Sequence, residues 1–262
     1  MSERKLSGKV AVITGGARGL GRGYALRLAD LGADVAIIDR NLRAAEVYEF
    51  ERAAMTAGTV MAECEAMGVR GLGIEADLTS RAATVTAIDS IVRQLGRLDI
   101  AICNAGGGTV VFADERLPSP GANETGDAVT TGTPSDCPED MLTRVLDINL
   151  KTTMYTCMAV APHMKRQGGG KIITVSSTAG VDARGGYHPY GMAKAAIIHY
   201  LHTLACAGAR TLQHQRQRHC PRHHPHRKAR RSLPHGWNDG AASRRHRRGL
   251  RQGGGVPGHR PL

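Results

Sequence analysis

A glycine-rich turn constrains the fold of this chain more than any other feature of the sequence. It reads Thr14-Gly15-Gly16-Ala17-Arg18-Gly19-Leu20-Gly21 and lies between the apolar run Val10–Ile13 and the helical pattern Leu20–Leu31. Gly15 permits a tight turn, Gly19 lets the backbone approach a pyrophosphate, and Gly21 allows close packing of helix on strand. Because unpaired N–H groups at a helix N-terminus attract anions, the turn predicts a phosphate site. A βα turn without a ligand is the alternative.

The first 206 residues alternate between short apolar runs and longer helical patterns. The predicted strands are Val10–Ile13, Val35–Ile38, Gly71–Ile74, Asp99–Ile102 and Lys171–Val175. The predicted helices are Leu20–Leu31, Arg43–Met67, Ser80–Leu95, Pro138–Arg166 and Tyr190–Cys206. Apolar strands that alternate with helices indicate a single α/β domain, a doubly wound parallel sheet of the Rossmann type. The Pro- and Gly-rich stretch Gly106–Cys137 is longer than an ordinary connection and is expected to line a substrate pocket.

The end of the second strand indicates which nucleotide the site prefers. Asp39 follows Gly21 by 18 residues, where a carboxylate can accept hydrogen bonds from a ribose diol and repel a 2′-phosphate. Arg18 and Arg40 favour the opposite choice, since a guanidinium can hold that phosphate. The sequence therefore predicts NAD, with NADP as the alternative. Asp77 and Leu78, after the third strand, are expected at the adenine ring, although Asp77 could instead cap the next helix.

Four polar residues in the second half of the domain form a candidate catalytic set. Tyr190 and Lys194 lie one helical turn apart, and a nearby cation favours the phenolate, so that the pair can act as a general acid and base. Ser177 follows a strand end and can hydrogen-bond a substrate oxygen, and Asn149 can anchor a water in a proton relay. Taken singly, each has an ordinary reading: a solvated helix face, a loop serine and a packed polar residue.

Together these motifs resemble the short-chain dehydrogenase/reductase family over residues 1–206. The resemblance rests on TGGARGLG, on Asn104-Ala105-Gly106 and on the order Asn149, Ser177, Tyr190 and Lys194. It implies that the Asn-Ala-Gly turn stabilises the sheet beside the cofactor and that Tyr190 exchanges the proton. It further implies that Ser177 polarises the carbonyl, that Lys194 lowers the tyrosine pKa and holds the nicotinamide ribose, and that Asn149 supports the relay. Ser176 is the alternative serine, but the 13-residue spacing to Tyr190 selects Ser177.

The resemblance implies hydride transfer between NAD(H) and a secondary alcohol or ketone. We expect the nucleotide to contact Gly15, Arg18, Gly19, Leu20, Gly21, Asp39, Asp77, Leu78, Asn104, Ala105, Gly106, Tyr190 and Lys194. Two alternatives are an NADP-dependent ketoacyl-type reductase and a non-catalytic nucleotide-binding protein with a polyanion-binding tail. Family members are usually dimers or tetramers, so a homo-oligomer is expected for the in-frame protein.

The tail 207–262 differs from the rest of the chain in charge and pattern. It holds 13 Arg, one Lys and eight His against the single acid Asp239, and it follows neither the helix nor the strand period. Permitted codons for residues 212–229, read one base later, encode Tyr-Asn-Ile-Asn-Val-Asn-Ala-Ile-Ala-Pro-Gly-Ile-Ile-Arg-Thr-Gly-Lys-Leu, an amphipathic strand followed by Pro-Gly and Thr. The family's last strands belong there. We therefore predict a frameshift near Cys206 and, for the chain as printed, poor folding and little turnover.

The composition excludes several other classes of protein. Because the net charge of +12 comes from the tail, it predicts no specific nucleic-acid site. The pattern Cys220-x-x-His223-His224-x-His226 could chelate a metal ion, but an unselected tail predicts no metal site. Six cysteines without a CxxC pair suit reduced thiols. With neither a signal-peptide pattern nor an 18-residue apolar run, we expect a cytoplasmic protein without a membrane segment.

Overall fold

The computed structural model describes residues 4–107, 135, 137–182 and 188–218, and of residues 207–218 only the helical backbone. Most of the long stretch Gly106–Cys137 and the tail beyond residue 218, with its Cys220–His226 pattern, lie outside the described residues. The described strands and helices belong to one compact unit, Met1–Gln217, except for Arg218, the last residue of the last helix. The predicted boundary at residue 206 stays a prediction.

Five strands form a single parallel sheet in the described part of the chain. They are β1 (Val10–Thr14), β2 (Asp34–Asp39), β3 (Gly71–Glu75), β4 (Ile100–Cys103) and β5 (Lys171–Thr174). Their order is β3-β2-β1-β4-β5, and every neighbouring pair runs parallel. The order reverses its direction beside β1, so that the carboxyl ends of β1 and β4 flank the crevice in which such sheets bind ligands.

Helices connect the strands and cover the sheet. They are α1 (Gly19–Asp30), α2 (Glu49–Ala53), α3 (Val60–Ala66), α4 (Arg81–Leu95), α5 (Glu139–Leu146), α6 (Thr152–Arg166) and α7 (Tyr190–Arg218). Short 3₁₀ turns span Ala44–Val47 and Thr178–Gly180, and a π-helical turn, Asp147–Lys151, joins α5 to α6. None of the helices within the described ranges combines the length and hydropathy needed to cross a membrane.

The alternation of β1 side chains divides the core between the two faces of the sheet. Val10 and Val12 pack with residues of α4 and α6, including Ile88. Ala11 and Ile13 pack with residues of α1 and α3 on the opposite face. Since both faces are covered, every β1 side chain is buried. The Rossmann-type α/β fold predicted from the sequence is confirmed.

The predicted helix Arg43–Met67 is wrong, because the segment breaks into a 3₁₀ turn, α2 and α3. Thr59 has an extended backbone, and its side chain accepts a hydrogen bond from the Ala62 N–H, which makes it the N-cap of α3. The carboxylate of Glu63 then accepts hydrogen bonds of 2.7 Å and 2.8 Å from the backbone and hydroxyl of Thr56. These polar contacts end one helix and begin another, although the apolar spacing runs through both.

Two other helices differ from their predicted bounds. The segment predicted as one helix, Pro138–Arg166, is helical from Glu139 to Arg166, but a π-helical turn at Asp147–Lys151 divides it into α5 and α6. Helix α7 runs to Arg218, beyond the predicted end at Cys206. Residues 207–218 contain no proline, and Ala, Leu, Gln and Arg are strong helix formers, so the local sequence permits the extension. Pro221 cannot continue a helix.

Candidate active site

Close packing around Gly15 and Gly21 shapes the glycine-rich turn. Gly15 has a φ of +63°, and a Cβ on it would lie 2.9 Å from Cα of Ala105. A Cβ on Gly21 would lie 2.8 Å from Cα of Gly16 and 2.9 Å from Nδ2 of Asn104. Neither position has room for a side chain. Glycine here brings α1 and the end of β4 onto the end of β1.

Within the described residues, no side chain caps the N-terminus of α1. Its N-cap residue, Arg18, makes no side-chain capping bond, and the first turn holds no acidic residue. At Gly19, where φ is +53°, the nearest atom to an added Cβ is Oε1 of Glu51 at 3.8 Å. The Leu20 side chain, on the same turn, is 69% exposed. Open space beside unpaired N–H groups and the positive end of the helix dipole suits a phosphate.

The side chains of Asp39 and Arg18 have different partners at the glycine-rich turn. One Asp39 oxygen accepts a hydrogen bond of 3.2 Å from the Ala17 N–H. The Arg18 guanidinium lies 4.0 Å from the centre of the Tyr48 ring and forms an ion pair of 2.9 Å with Glu51. Its charge is therefore already compensated by the segment that follows β2.

Asp77 does not cap the helix that follows β3. Its carboxylate accepts hydrogen bonds of 2.9 Å and 2.8 Å from the backbone and hydroxyl of Thr79. Ser80 is the N-cap of α4 and accepts from the Ala83 N–H. Asp77 is exposed, and Leu78 is 4% exposed within the core cluster on that face. This turn closes the carboxyl end of β3 on the same edge as Asp39.

The Asn104-Ala105-Gly106 turn is fastened to the end of β1. Thr14 Oγ1 accepts hydrogen bonds of 3.0 Å and 3.1 Å from the N–H groups of Asn104 and Ala105. The Asn104 amide in turn donates to the carbonyl of Gly15 at 2.9 Å. The two predicted cofactor motifs therefore form one rigid unit at the centre of the sheet edge. The role of Thr14 was missed, because a threonine that ends a strand carries no distinctive signal.

Asn149 lies in the π-helical turn and is completely buried. Its Oδ1 accepts from the Gly107 N–H at 3.1 Å, and its Nδ2 donates to the carbonyl of Gly107 at 2.9 Å and to that of Val145 at 3.0 Å. Gly106 has a φ of +142°, and a Cβ there would lie 2.7 Å from Oδ1 of Asn149. Asn149 therefore joins the π-helical turn to Gly107, which directly follows the Asn104-Ala105-Gly106 turn.

The structure separates the two neighbouring serines by their hydrogen bonds. Ser177 begins the 3₁₀ turn, and its Oγ accepts from the Ala179 N–H at 3.2 Å, which leaves its own proton for another acceptor. Ser176 Oγ donates to the backbone carbonyl of Lys194 at 2.9 Å. A hydroxyl that donates to a backbone carbonyl is not free to donate to a ligand, so the contacts favour Ser177 for a substrate oxygen.

Tyr190 and Lys194 lie on the first turns of α7, as their spacing predicts. The Lys194 ammonium lies 5.4 Å from the centre of the Tyr190 ring and donates to the carbonyl of Val175 at 3.1 Å. Lys194 is only 4% exposed, and this burial lowers its pKa to about 8. The start of α7 therefore holds a buried lysine beside a phenol ring.

Two groups of predicted residues are thus assembled at the same edge of the sheet. Asn104, Ala105, Gly106 and the glycine-rich turn form the first, with Asn149 bonded to it through Gly107. Ser177, Tyr190 and Lys194 form the second, at the end of β5 and the start of α7. Between them, β4 pairs with both β1 and β5.

Known proteins resemble this chain over most of its length. The model of the short chain dehydrogenase family matches residues 9–212. Cyclohexanol dehydrogenase of Rhodococcus sp. (strain TK6) is 46% identical over 202 residues, which are 76% of this chain and 68% of that protein.

Solved structures give the same result. The NAD⁺-bound xylitol dehydrogenase has a TM-score of 0.62 at 31% identity, covering 78% of this chain and 66% of that one. Carveol dehydrogenase from Mycobacterium avium in complex with NAD has a TM-score of 0.60 at 29% identity, with 78% and 66% covered. The chain thus matches about two thirds of the length of each of these proteins.

Proposed function

The chain belongs to the short chain dehydrogenase family, and from this premise we propose that it transfers a hydride between NAD(H) and a secondary alcohol or the corresponding ketone. The main support for the proposal is the buried Lys194 ammonium, which lies 5.4 Å from the centre of the Tyr190 ring. This pair lies at the same edge of the sheet as the N-terminus of α1, which no described side chain caps. The Tyr190–Lys194 pair can move a proton, and the N-terminus of α1 can hold a pyrophosphate.

The residues present fit a dinucleotide, and they fit NAD better than NADP. Open space at Gly19 and the N–H groups of α1 suit the pyrophosphate, and the Asp39 carboxylate at the end of β2 suits a ribose diol. Arg18 is already paired with Glu51, so it is poorly placed to hold a 2′-phosphate. The NAD-bound xylitol and carveol dehydrogenases support the same choice. When bound, the nicotinamide supplies the hydride chemistry.

The side chains of the second group divide the proton chemistry among them. The Ser177 hydroxyl donates a hydrogen bond to the substrate oxygen. Tyr190 transfers the proton to or from that oxygen. The Lys194 ammonium lies 5.4 Å from the centre of the Tyr190 ring and holds the nicotinamide ribose. Asn149 uses both ends of its side-chain amide to hold the π-helical turn against Gly107, and so keeps the proton relay in place.

For the substrate we propose a cyclic secondary alcohol. Cyclohexanol, named for the 46% identical relative, and carveol, named for a structural neighbour, both carry the hydroxyl on a ring carbon. We expect a homo-oligomer, as is typical of the family.

The test measures nucleotide binding and turnover separately in two proteins. One is the 262-residue chain, and the other is the product of a gene whose reading frame is shifted after Cys206 to the frame that we predict. NADH and NADPH binding are followed by nicotinamide fluorescence, and turnover is followed by NADH formation from cyclohexanol. Tyr190→Phe is the key variant: we expect turnover to fall about 10²- to 10⁴-fold while NADH binding stays within about twofold. Equal turnover of Tyr190→Phe and of its Tyr190 parent would contradict the proposed chemistry. Tighter binding of NADPH would favour the NADP-dependent reductase, and binding without any turnover the non-catalytic alternative.

A further inference from the structure

We propose that Ser176 is a positioning residue, whose hydroxyl fixes the backbone of Lys194 against the end of β5 and thereby sets where the Lys194 ammonium and the Tyr190 phenol lie. The importance of this contact for the reaction rests on the function proposed above. The contact itself rests on the geometry alone.

Two hydrogen bonds of opposite direction join the end of β5 to Lys194. Ser176 Oγ donates to the Lys194 carbonyl at 2.9 Å, and the Lys194 ammonium donates to the carbonyl of Val175 at 3.1 Å. Adjacent residues of one strand end thus hold both the backbone and the side-chain tip of the same lysine. Two bonds separated by the length of the side chain restrain this turn of α7 at two points, in addition to the packing of the buried Ala193 and Ile197.

Two glycines make this contact close enough to be specific. A Cβ on Gly180 would lie 2.7 Å from the carbonyl carbon of Lys194, and a Cβ on Gly191 would lie 2.7 Å from the carbonyl oxygen of Ala179. The 3₁₀ turn after Ser177 therefore rests directly on the backbone of the first turns of α7. Neither glycine has a positive φ, so close approach, and not backbone conformation, explains their presence.

The position of Lys194 matters because little of it is in contact with water. At 4% exposure, its ammonium depends on a few protein groups for stabilisation. Loss of the Ser176 hydroxyl releases one of the two attachments, so that the first turn of α7 can move away from β5 and admit water. A better hydrated ammonium holds its proton more strongly and lies less reproducibly beside Tyr190.

The test compares Ser176→Ala with Ser176→Thr, which keeps a hydroxyl, and with Ser177→Ala, which removes the neighbouring one. The full chain is labelled with [¹³Cε]lysine, the Lys194 signal is assigned with Lys194→Arg, and its titration is followed by NMR. NADH binding is measured on the same samples by fluorescence, after circular dichroism has established a folded protein. If Ser176→Ala does not fold, Ser176→Cys takes its place, since a thiol has similar size but donates weakly.

We expect Ser176→Ala to raise the apparent pKa of Lys194 by about 0.5 or more and to weaken NADH binding about three- to tenfold. Ser176→Thr and Ser177→Ala should leave the Lys194 titration unchanged. The proposal is overturned if Ser176→Ala titrates like the parent, or if Ser177→Ala shifts Lys194 as much. A folded parent that does not bind NADH contradicts the proposed function instead, because the lysine titration reads the Ser176 contact without substrate or cofactor.

Discussion

The guanidinium of Arg22 on α1 holds the carboxylate of Glu63 on α3 with two hydrogen bonds of 2.7 Å. Glu63 is 1% exposed and also accepts from the backbone and hydroxyl of Thr56. Burial alone would raise the pKa of Glu63, but the bonds from Arg22 and Thr56 outweigh it, so that the pKa lies below its ordinary value. This network ties the helix that begins at the glycine-rich turn to the segment that follows β2.

Removing the charge of Glu63 should therefore destabilise the domain. In Glu63→Gln the Arg22 guanidinium loses its ionised partner, which costs about 2–4 kcal/mol of unfolding free energy at pH 7. A lowered carboxyl pKa stabilises the fold fully above the unfolded-state value of about 4.5, and this contribution declines as the pH falls from there through the lower folded-state pKa. Denaturant unfolding at pH 7 and at pH 4 measures both effects.

Glu65→Gln is the matched control for this experiment. Glu65 lies on the same helix but is exposed, so its substitution should change the free energy by less than about 0.5 kcal/mol. Equal effects of the two substitutions would show that the Arg22–Glu63 pair contributes nothing specific.

This pair also shows where the sequence alone stops being informative. The strands, the glycine-rich turn and the Tyr190–Lys194 spacing are local patterns, and the structure places them as predicted. Glu63 and Arg22 are 41 residues apart, and no local pattern connects them. The same holds for Ser176 and Lys194, which are 18 residues apart. The break in the helix predicted for Arg43–Met67 depends on such contacts, because Thr56 and Thr59 use their polar groups to end one helix and begin the next.

Two glycines of α1 should respond oppositely to alanine. Gly21→Ala forces a methyl group against Gly15, Gly16 and Asn104, so it should destabilise the fold by about 2 kcal/mol or more and weaken NADH binding at least tenfold. Gly23 lies on the same helix, and no atom of the described residues lies within 4 Å of the Cβ position there. Gly23→Ala should instead stabilise the helix by about 0.5–1 kcal/mol.

Thermal unfolding and NADH titration of the two variants check this prediction. A Gly21→Ala protein with parental stability would mean that the turn is not closely packed. A destabilised Gly23→Ala protein would mean that this face of α1 is covered.

Replacing Lys194 should increase stability while it removes turnover. Burial lowers the Lys194 pKa from 10.5 to about 8, so the native state binds fewer protons than the unfolded state between these values, and stability rises with pH across that window. Below pH 8 the full cost of burying the charge is present. Lys194→Met removes that cost but also the bond to Val175, so we expect a gain of about 1–2 kcal/mol at pH 7.

Denaturant unfolding at pH 7 and at pH 10 checks this sign, because the gain should shrink as the parent lysine loses its proton. Lys165→Met, at an exposed position of α6, should change stability little at either pH. A loss of stability at pH 7 in Lys194→Met would show that the ammonium is well solvated in the folded protein.

Asp39 should set the choice between the two nucleotides. Asp39→Asn keeps a side-chain oxygen that can accept from the Ala17 N–H but removes the charge that repels a 2′-phosphate. We expect the ratio of NADP to NAD affinity to rise about tenfold. Asp30→Asn, at an exposed position at the end of α1, should leave the ratio unchanged. An unchanged ratio in Asp39→Asn would place the ribose away from β2.

The hypothesis of a frameshift near Cys206 is tested by the DNA that encodes codons 200–215. We expect one base more or fewer than the family's reading phase requires, and we expect the corrected phase to encode the Asn-Ala-Ile-Ala-Pro-Gly sequence that permitted codons of the tail allow. The exposure of β5 gives the physical reason to expect a large effect. Ile173 of this outermost described strand is 48% exposed, and a strand added beside β5 would bury it. The corrected protein should therefore unfold at a higher temperature than the printed one and turn over cyclohexanol at least about tenfold faster. A coding sequence that matches the printed chain, with codons that do not permit the family-like reading, would make the tail a real feature of this protein.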